Sequence, residues 1–268
     1  MRKHVRKAAL AGFVLSALMI LYPLLSDVCS EYRNKSVIQA YRESSLTDTE
    51  RILKEAQQYN RTFRVSDVLI KDQNRLDTAY ERLLDPDGNG VMGYLEIPCI
   101  DVHLPIYHYA DGASMDKGIG HIYGSSLPVG GKSTHTVLTG HRGLLDQMML
   151  LNLDRVKKGD VFSLHVLDQV LLYEVDQIRV VKPDDTEVLK IEKGKDLATI
   201  VTCTPYAMNT ERLLVTGHHI EKERKNKNHY FNIQMIVYYS TAAAVILFTL
   251  FILFILFIKK HKYKRQLY

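Results

Sequence analysis

Residues 236–258 run for 23 positions without one charged side chain, and no other feature constrains the chain so strongly. At about 1.5 Å of rise per residue, a helix of that length crosses the roughly 30 Å core of a bilayer with some tilt. Lys259, Lys260, Lys262, Lys264 and Arg265 follow at once, which by the positive-inside rule assigns this end to the cytoplasm. A second uncharged stretch, residues 8–25, comes after Arg2, Lys3, Arg6 and Lys7. It is longer than the roughly 7–15 residues of a signal-peptide apolar core and no A-x-A site follows it. It therefore reads as a retained signal anchor, with a cleaved signal peptide as the alternative. The expectation is a two-pass protein of the cell membrane whose middle folds on the extracellular face.

Charge agrees with that topology. The net charge is +5, but the basic excess sits in short runs at the two ends and just before the second apolar stretch. A nucleic-acid partner is not indicated. Three cysteines, Cys29, Cys99 and Cys203, make no disulfide framework. No Cys-x-x-Cys or His/Cys cluster with zinc spacing occurs, so no metal is expected.

Residues 26–89 are polar. Ile52, Leu53, Ala56 and Tyr59 recur at helical spacing, which predicts two or three helices, loosely packed or forming a stalk. Asp85-Pro86-Asp87-Gly88-Asn89-Gly90 is a dense turn signal. With Glu96 in twelfth place it also fits a calcium-loop pattern. The following Tyr94 to Pro98 reads as a strand rather than the helix such a loop needs, so a plain turn is expected, with calcium binding as the minor alternative. From residue 91 the character changes. Segments 91–97, 100–106, 136–139, 160–166, 171–181, 197–202 and 212–220 are rich in Val, Ile, Leu, Tyr and Thr and are punctuated by turn residues. They predict a mainly β sandwich or barrel. Residues 145–156 read as a short helix. Residues 221–235 form a charged linker, and 259–268 a basic tail.

Three residues of this domain could carry chemistry. Cys203, in Thr199-Ile200-Val201-Thr202-Cys203-Thr204-Pro205-Tyr206, ends a β-rich run just before a proline. A thiol there needs a neighbouring imidazole or cation to become a useful nucleophile, and a buried structural cysteine is the ordinary alternative. His141, in Thr139-Gly140-His141-Arg142-Gly143, ends another such run between two glycines; His121 and His135 compete with it. Arg212 opens the last strand, where a guanidinium could meet a developing oxyanion or simply snorkel.

Together these segments resemble the sortases. Thr199 to Cys203 matches the pattern Thr-Leu-x-Thr-Cys with Ile for Leu, Thr139 to Gly143 matches the Gly-His-Arg segment, and Arg212 matches the downstream arginine. The subgroup most resembled is class C, the pilin-polymerising sortases. The residues that carry this are Gly90-Val91-Met92-Gly93-Tyr94, Leu104-Pro105-Ile106-Tyr107-His108, Gly118-Ile119-Gly120-His121, Ser125 to Gly131, Cys203-Thr204-Pro205-Tyr206, and the second membrane segment. The resemblance implies an eight-stranded β-barrel with short helices over residues 90–220, preceded by the helical region and flanked by two transmembrane helices. It implies Cys203, His141 and Arg212 as catalytic residues, with Thr202, Thr204 and Asn209 touching substrate, and no cofactor. The implied partners are pilin or surface proteins with a Leu-Pro-x-Thr-Gly-like signal. The amine acceptor would be a pilin lysine or a lipid-linked peptidoglycan precursor. His121 is then structural, and Cys99 a strand cysteine without a role.

One departure stands out. Class C enzymes carry a lid marked by Asp-Pro-aromatic, whereas here Asp87 follows Asp85-Pro86, and Asp67-Val68-Leu69 lacks both proline and aromatic. Residues 60–80 are expected to cover the cleft weakly. Two other readings compete, a housekeeping-type anchoring sortase and a non-catalytic membrane-tethered scaffold.

Overall fold

A computed structural model describes residues 2–44, 48–62, 77–143 and 149–221, together with Ala243 and Ile246. Met1–Cys29 belong to one compact unit and the β domain to a second. Four helices are described, α1 (Arg2–Ser44), α2 (Thr49–Thr62), α3 (Thr78–Glu81) and α4 (Gly112–Met115). The strands are β1 (Val91–Ile97), β2 (Val102–His108), β3 (Ile119–His121), β4 (Thr134–Thr139), β5 (Val161–Val166), β6 (Gln169–Val181), β7 (Asp196–Thr204) and β8 (Glu211–Ile220).

The eight strands close into a barrel in the order β1-β2-β3-β4-β7-β8-β6-β5. Closure removes the exposed edges that an open sheet would present. Only β2 with β3 and β4 with β7 run parallel; the other pairs are antiparallel. The sequence reading lacked β3. It is three residues long and carries Gly120, which has poor strand propensity. Glycine is required there because a Cβ would lie 2.4 Å from the Tyr109 carbonyl oxygen.

Alternate residues of a strand face opposite ways, and both faces of β4, β7 and β8 are covered. Leu138, Ala198, Ile200, Leu213 and Val215 join the main core with Leu95, Ile106 and Leu164. Val137, Val201 and Leu214 pack on the other side with Ile122 and Leu189. This second layer leaves only the strand ends available for a site.

The N-terminal helices are anchored rather than loosely packed, which corrects the expected stalk. On α2, Ala56 is fully buried while Ile52, Leu53 and Tyr59 pack against the barrel core. Asn60 pairs reciprocally with Leu127: its Nδ2 donates to the carbonyl at 3.1 Å, and its Oδ1 accepts from the backbone N–H at 2.8 Å. At the end of α1, the buried Tyr41 hydroxyl donates to the Met92 carbonyl and accepts from Leu167 N–H, both at 2.8 Å. Burial pushes that phenol well above the usual tyrosine range, so it stays protonated. Helix α1 continues without a break past residue 25. Among the described residues, no helix is long and apolar enough to cross a membrane. Apart from Glu221, Ala243 and Ile246, the linker, the second apolar stretch and the basic tail lie outside the described residues, as do residues 63–76 of the expected cover.

Residues 85–90 are a turn closed on itself. Asp85 accepts from Gly90 N–H at 3.0 Å and Asp87 from Asn89 N–H at 3.2 Å. Glu96 sits on β1 and meets His165 at 3.1 Å instead of the turn. Two local expectations change. The stretch read as a short helix holds a 3₁₀ turn at Leu153–Arg155, with residues 144–148 outside the described residues. Cys99 lies in a 3₁₀ turn, Pro98–Ile100, rather than in a strand. Its burial pushes the thiol up to about 12, so it is inert.

Candidate active site

Strand register assembles the site. Cys203 on β7 pairs directly with Arg212 on β8. Directly opposed residues of an antiparallel pair share a face, with Cα atoms about 4.5–5.5 Å apart. On the other flank β4 runs parallel to β7, with Thr139 beside Val201. Gly140 extends the match, its N–H donating to the Val201 carbonyl at 3.2 Å. His141 is therefore two residues beyond Thr139 as Cys203 is two beyond Val201. Thiol, imidazole and guanidinium come from three adjacent strands at one end of the barrel.

The three side chains are only partly enclosed, Cys203 and Arg212 being half-buried. The His141 side chain keeps 33% of its exposure, and its Nε2 lies 3.6 Å from Asp116 Oδ1 just after α4. The Arg212 Nη1 donates to the carbonyls of Asn209 at 3.2 Å and Glu211 at 3.0 Å. These bonds fold the guanidinium onto the β7–β8 turn. That turn is tight: Met208 and Asn209 N–H both donate to the Pro205 carbonyl. Asn209 takes φ 56°, a conformation that asparagine tolerates better than most residues. Tyr206 and Met208 project from it 54% and 67% exposed, an apolar rim that sequence reasoning missed.

The hydroxyls expected to touch substrate are engaged elsewhere. Thr202, 1% exposed, donates through Oγ1 to the Gly140 carbonyl at 2.9 Å. Thr204 Oγ1 accepts from Arg142 Nη1 at 2.6 Å. Both flank Cys203 and point to the opposite face of β7, so their side chains hold the frame of the site. Asn209 contributes its carbonyl to Arg212, as above. Gly140 sits close under Leu150, where a Cβ would stand 3.2 Å from Leu150 Cδ1.

The rival histidines are structural. His121 is fully buried and neutral: burial holds its pKa down to about 4. Its Nε2–H donates to the Ser126 carbonyl at 2.9 Å, which fixes the tautomer, so Nδ1 accepts from the Tyr80 hydroxyl at 2.7 Å. His135 is likewise buried between the Lys190 carbonyl and Thr199 Oγ1, and burial lowers its pKa. Among the described residues, no group of His, Cys, Asp or Glu is placed to hold a metal ion.

A closed eight-stranded barrel thus brings a thiol, an imidazole and a guanidinium to the ends of three neighbouring strands, the groups a thiol nucleophile with an acid–base partner and an anion-stabilising donor requires. Comparison with known proteins makes the assignment specific. Residues 95–220 match the Sortase domain. Sortase C-1 from Actinomyces oris is 46% identical over 65% of this chain and 99% of its own, with a TM-score of 0.61. Sortase C1 from Streptococcus agalactiae is 42% identical over 70% of this chain and all of its own, with a TM-score of 0.65. Sortase D from Bacillus subtilis (strain 168) is 29% identical over 50% of this chain and 66% of its own length. The chain belongs to the sortase family of cysteine transpeptidases, and its structural neighbours include class C members.

Proposed function

We propose that this chain is a membrane-anchored class C sortase. It cleaves a Leu-Pro-x-Thr-Gly-like signal between Thr and Gly and joins the Thr carbonyl to a pilin lysine. The observation that carries this reading is the register that opposes Cys203 to Arg212 with His141 at the end of the adjoining parallel strand. His141 takes the Cys203 thiol proton as the sulfur attacks the Thr carbonyl, and Arg212, released from the turn carbonyls, meets the oxyanion. The C–N bond breaks as His141 gives a proton to the departing glycine amine, leaving a thioester on Cys203. The lysine amine then attacks the thioester and passes its proton to His141. Collapse restores the thiol and leaves an isopeptide bond, so one amide replaces another. No step calls for a cofactor.

Two uncharged stretches flanked by basic residues support membrane anchoring at both ends, with the domain outside the cell. The exposed Val14, Leu15, Leu18, Tyr22 and Leu25 on α1 fit the same reading, being apolar side chains that water solvates poorly.

The test uses the full chain in detergent micelles with a pilin subunit bearing such a signal. Ladders of covalently joined subunits are expected. Product only with a peptidoglycan-precursor amine would identify the anchoring alternative. Function surviving Cys203→Ala would identify the scaffold.

A further inference from the structure

Arg142 follows His141, and its partner Thr204 follows Cys203. The Arg142 side chain is 10% exposed, and its guanidinium bridges two elements. Its Nη1 donates to Thr204 Oγ1 at 2.6 Å, and its Nη2 to Asp154 Oδ2 at 2.7 Å in the 3₁₀ turn Leu153–Arg155. Its Nε is buried and has no hydrogen-bond partner among the described residues. Burying a guanidinium nitrogen without a partner is unfavourable for stability. The two bonds that Nη1 and Nη2 do make tie the residue after His141 to the residue after Cys203 and to the 3₁₀ turn.

The bonds form a bracket. Before the two reactive residues, Thr202 Oγ1 holds the Gly140 carbonyl at 2.9 Å. After them, Arg142 holds Thr204. Each rung joins residues at the same offset from Cys203 and His141. Backbone pairing between β4 and β7 ends at Gly140, because the chain then leaves the sheet toward Leu150, whose N–H donates to the His141 carbonyl at 3.2 Å. Beyond Gly140, the Arg142–Thr204 bond is what ties the segment after His141 to β7 among the described residues.

From this we infer that Arg142 is a positioning residue for the sortase reaction: its bridge to Thr204, braced by Asp154, sets the approach of the His141 imidazole to the Cys203 thiol. The inference rests on the roles proposed above for those two residues. Arg142 touches no substrate in this scheme, because residues 202 and 204 lie on the face of β7 away from the thiol.

The experiment compares full-length wild type with Arg142→Gln, Arg142→Lys, Thr204→Val, the Gln/Val double variant and His141→Ala. Two readouts are used, steady-state cleavage of a Leu-Pro-x-Thr-Gly peptide and the pH profile of Cys203 alkylation by iodoacetamide, which needs no turnover. Misplacing a catalytic group by a fraction of its contact distance lowers kcat by about tenfold or more. That loss is expected for Arg142→Gln and for Thr204→Val with KM within about twofold, and the double variant should be no worse than either single one. Arg142→Lys should recover part of the loss, since an ammonium can still reach Thr204. The alkylation profile of Arg142→Gln should move toward that of His141→Ala. A profile superimposed on wild type, or losses that multiply in the double variant, overturns the inference. A wild type that alkylates with a His141-dependent profile but cleaves no peptide would instead count against the proposed substrate. If a Gln variant fails to fold, the Thr204→Val profile decides in its place.

Discussion

His121 and His141 belong to the same barrel wall and differ in almost every physical respect. His121 is sealed beneath α3, with both ring nitrogens bonded and its charge suppressed. Tyr80 lies against it, and against Tyr109 and Tyr123 edge-on at 5.0 Å each. Asp77 caps α3 and accepts from the Tyr123 hydroxyl at 2.8 Å. His141 is one-third exposed, with its Nε2 3.6 Å from Asp116, and its placement comes from backbone pairing and from neighbours. The first region spends its polar groups on one another. The second leaves the proposed reactive groups partly exposed, with residues before and after them tied to one another.

Removing Cys203 should break this comparison most sharply. Cys203→Ala is expected to lower peptide cleavage below detection while leaving the thermal midpoint unchanged to within a degree or two, measured by peptide assay and calorimetry on one preparation. A large fall in the midpoint would mean that the thiol is a packing group. Next comes the paired exchange of histidines. His141→Ala should cost roughly 10²–10⁴-fold in kcat with stability retained. His121→Ala should leave the kcat of the folded fraction close to wild type and cost about 2–4 kcal/mol of stability, through a cavity and an unmet Tyr80 hydroxyl. Denaturant titration and active-site-titrated kinetics separate the two.

The pH dependence of stability sharpens the same contrast. The His121 pKa is about 4 in the fold against 6.5 when free, so the unfolded chain takes up the proton first. Stability supplied by the neutral ring is complete above about pH 6.5 and is lost as pH falls toward 4. The loss is on the order of 3 kcal/mol. His135, whose pKa burial also lowers, adds to the fall in the same direction. Urea midpoints at pH 7 and pH 4.5 should differ less in His121→Gln than in wild type. An equal difference in both would show that His121 is not the group being titrated. The smallest effect is expected from Tyr80→Phe, about 1–2 kcal/mol for leaving His121 Nδ1 without its donor, with no change in cleavage.

The convergence of Cys203, His141 and Arg212 at one end of the barrel was legible in the sequence because strand ends, turn residues and a family pattern coincide at the three positions. The β domain was legible from its period, except for β3, where three residues with a central glycine carry too little pattern. Less visible was what the flanking polar residues do. Thr202 and Thr204 look like substrate contacts because they adjoin the thiol, yet strand alternation turns them to the other face. Arg142 was quoted only as part of a motif, since its partners Thr204 and Asp154 are 62 and 12 residues away in the chain. The docking of α2 on Leu127 was equally hidden, because a helical period shows which face is apolar and not what covers it.

The central claim is that Cys203 carries the acyl group. Full-length protein should be mixed with a Leu-Pro-x-Thr-Gly peptide, quenched in acid and analysed by intact mass and peptide mapping. The account predicts an adduct equal to the Leu-Pro-x-Thr acyl portion, located on the peptide containing Cys203, released by hydroxylamine and absent from Cys203→Ala. Cleavage without any Cys203 adduct, or an adduct that persists in Cys203→Ala, would contradict it.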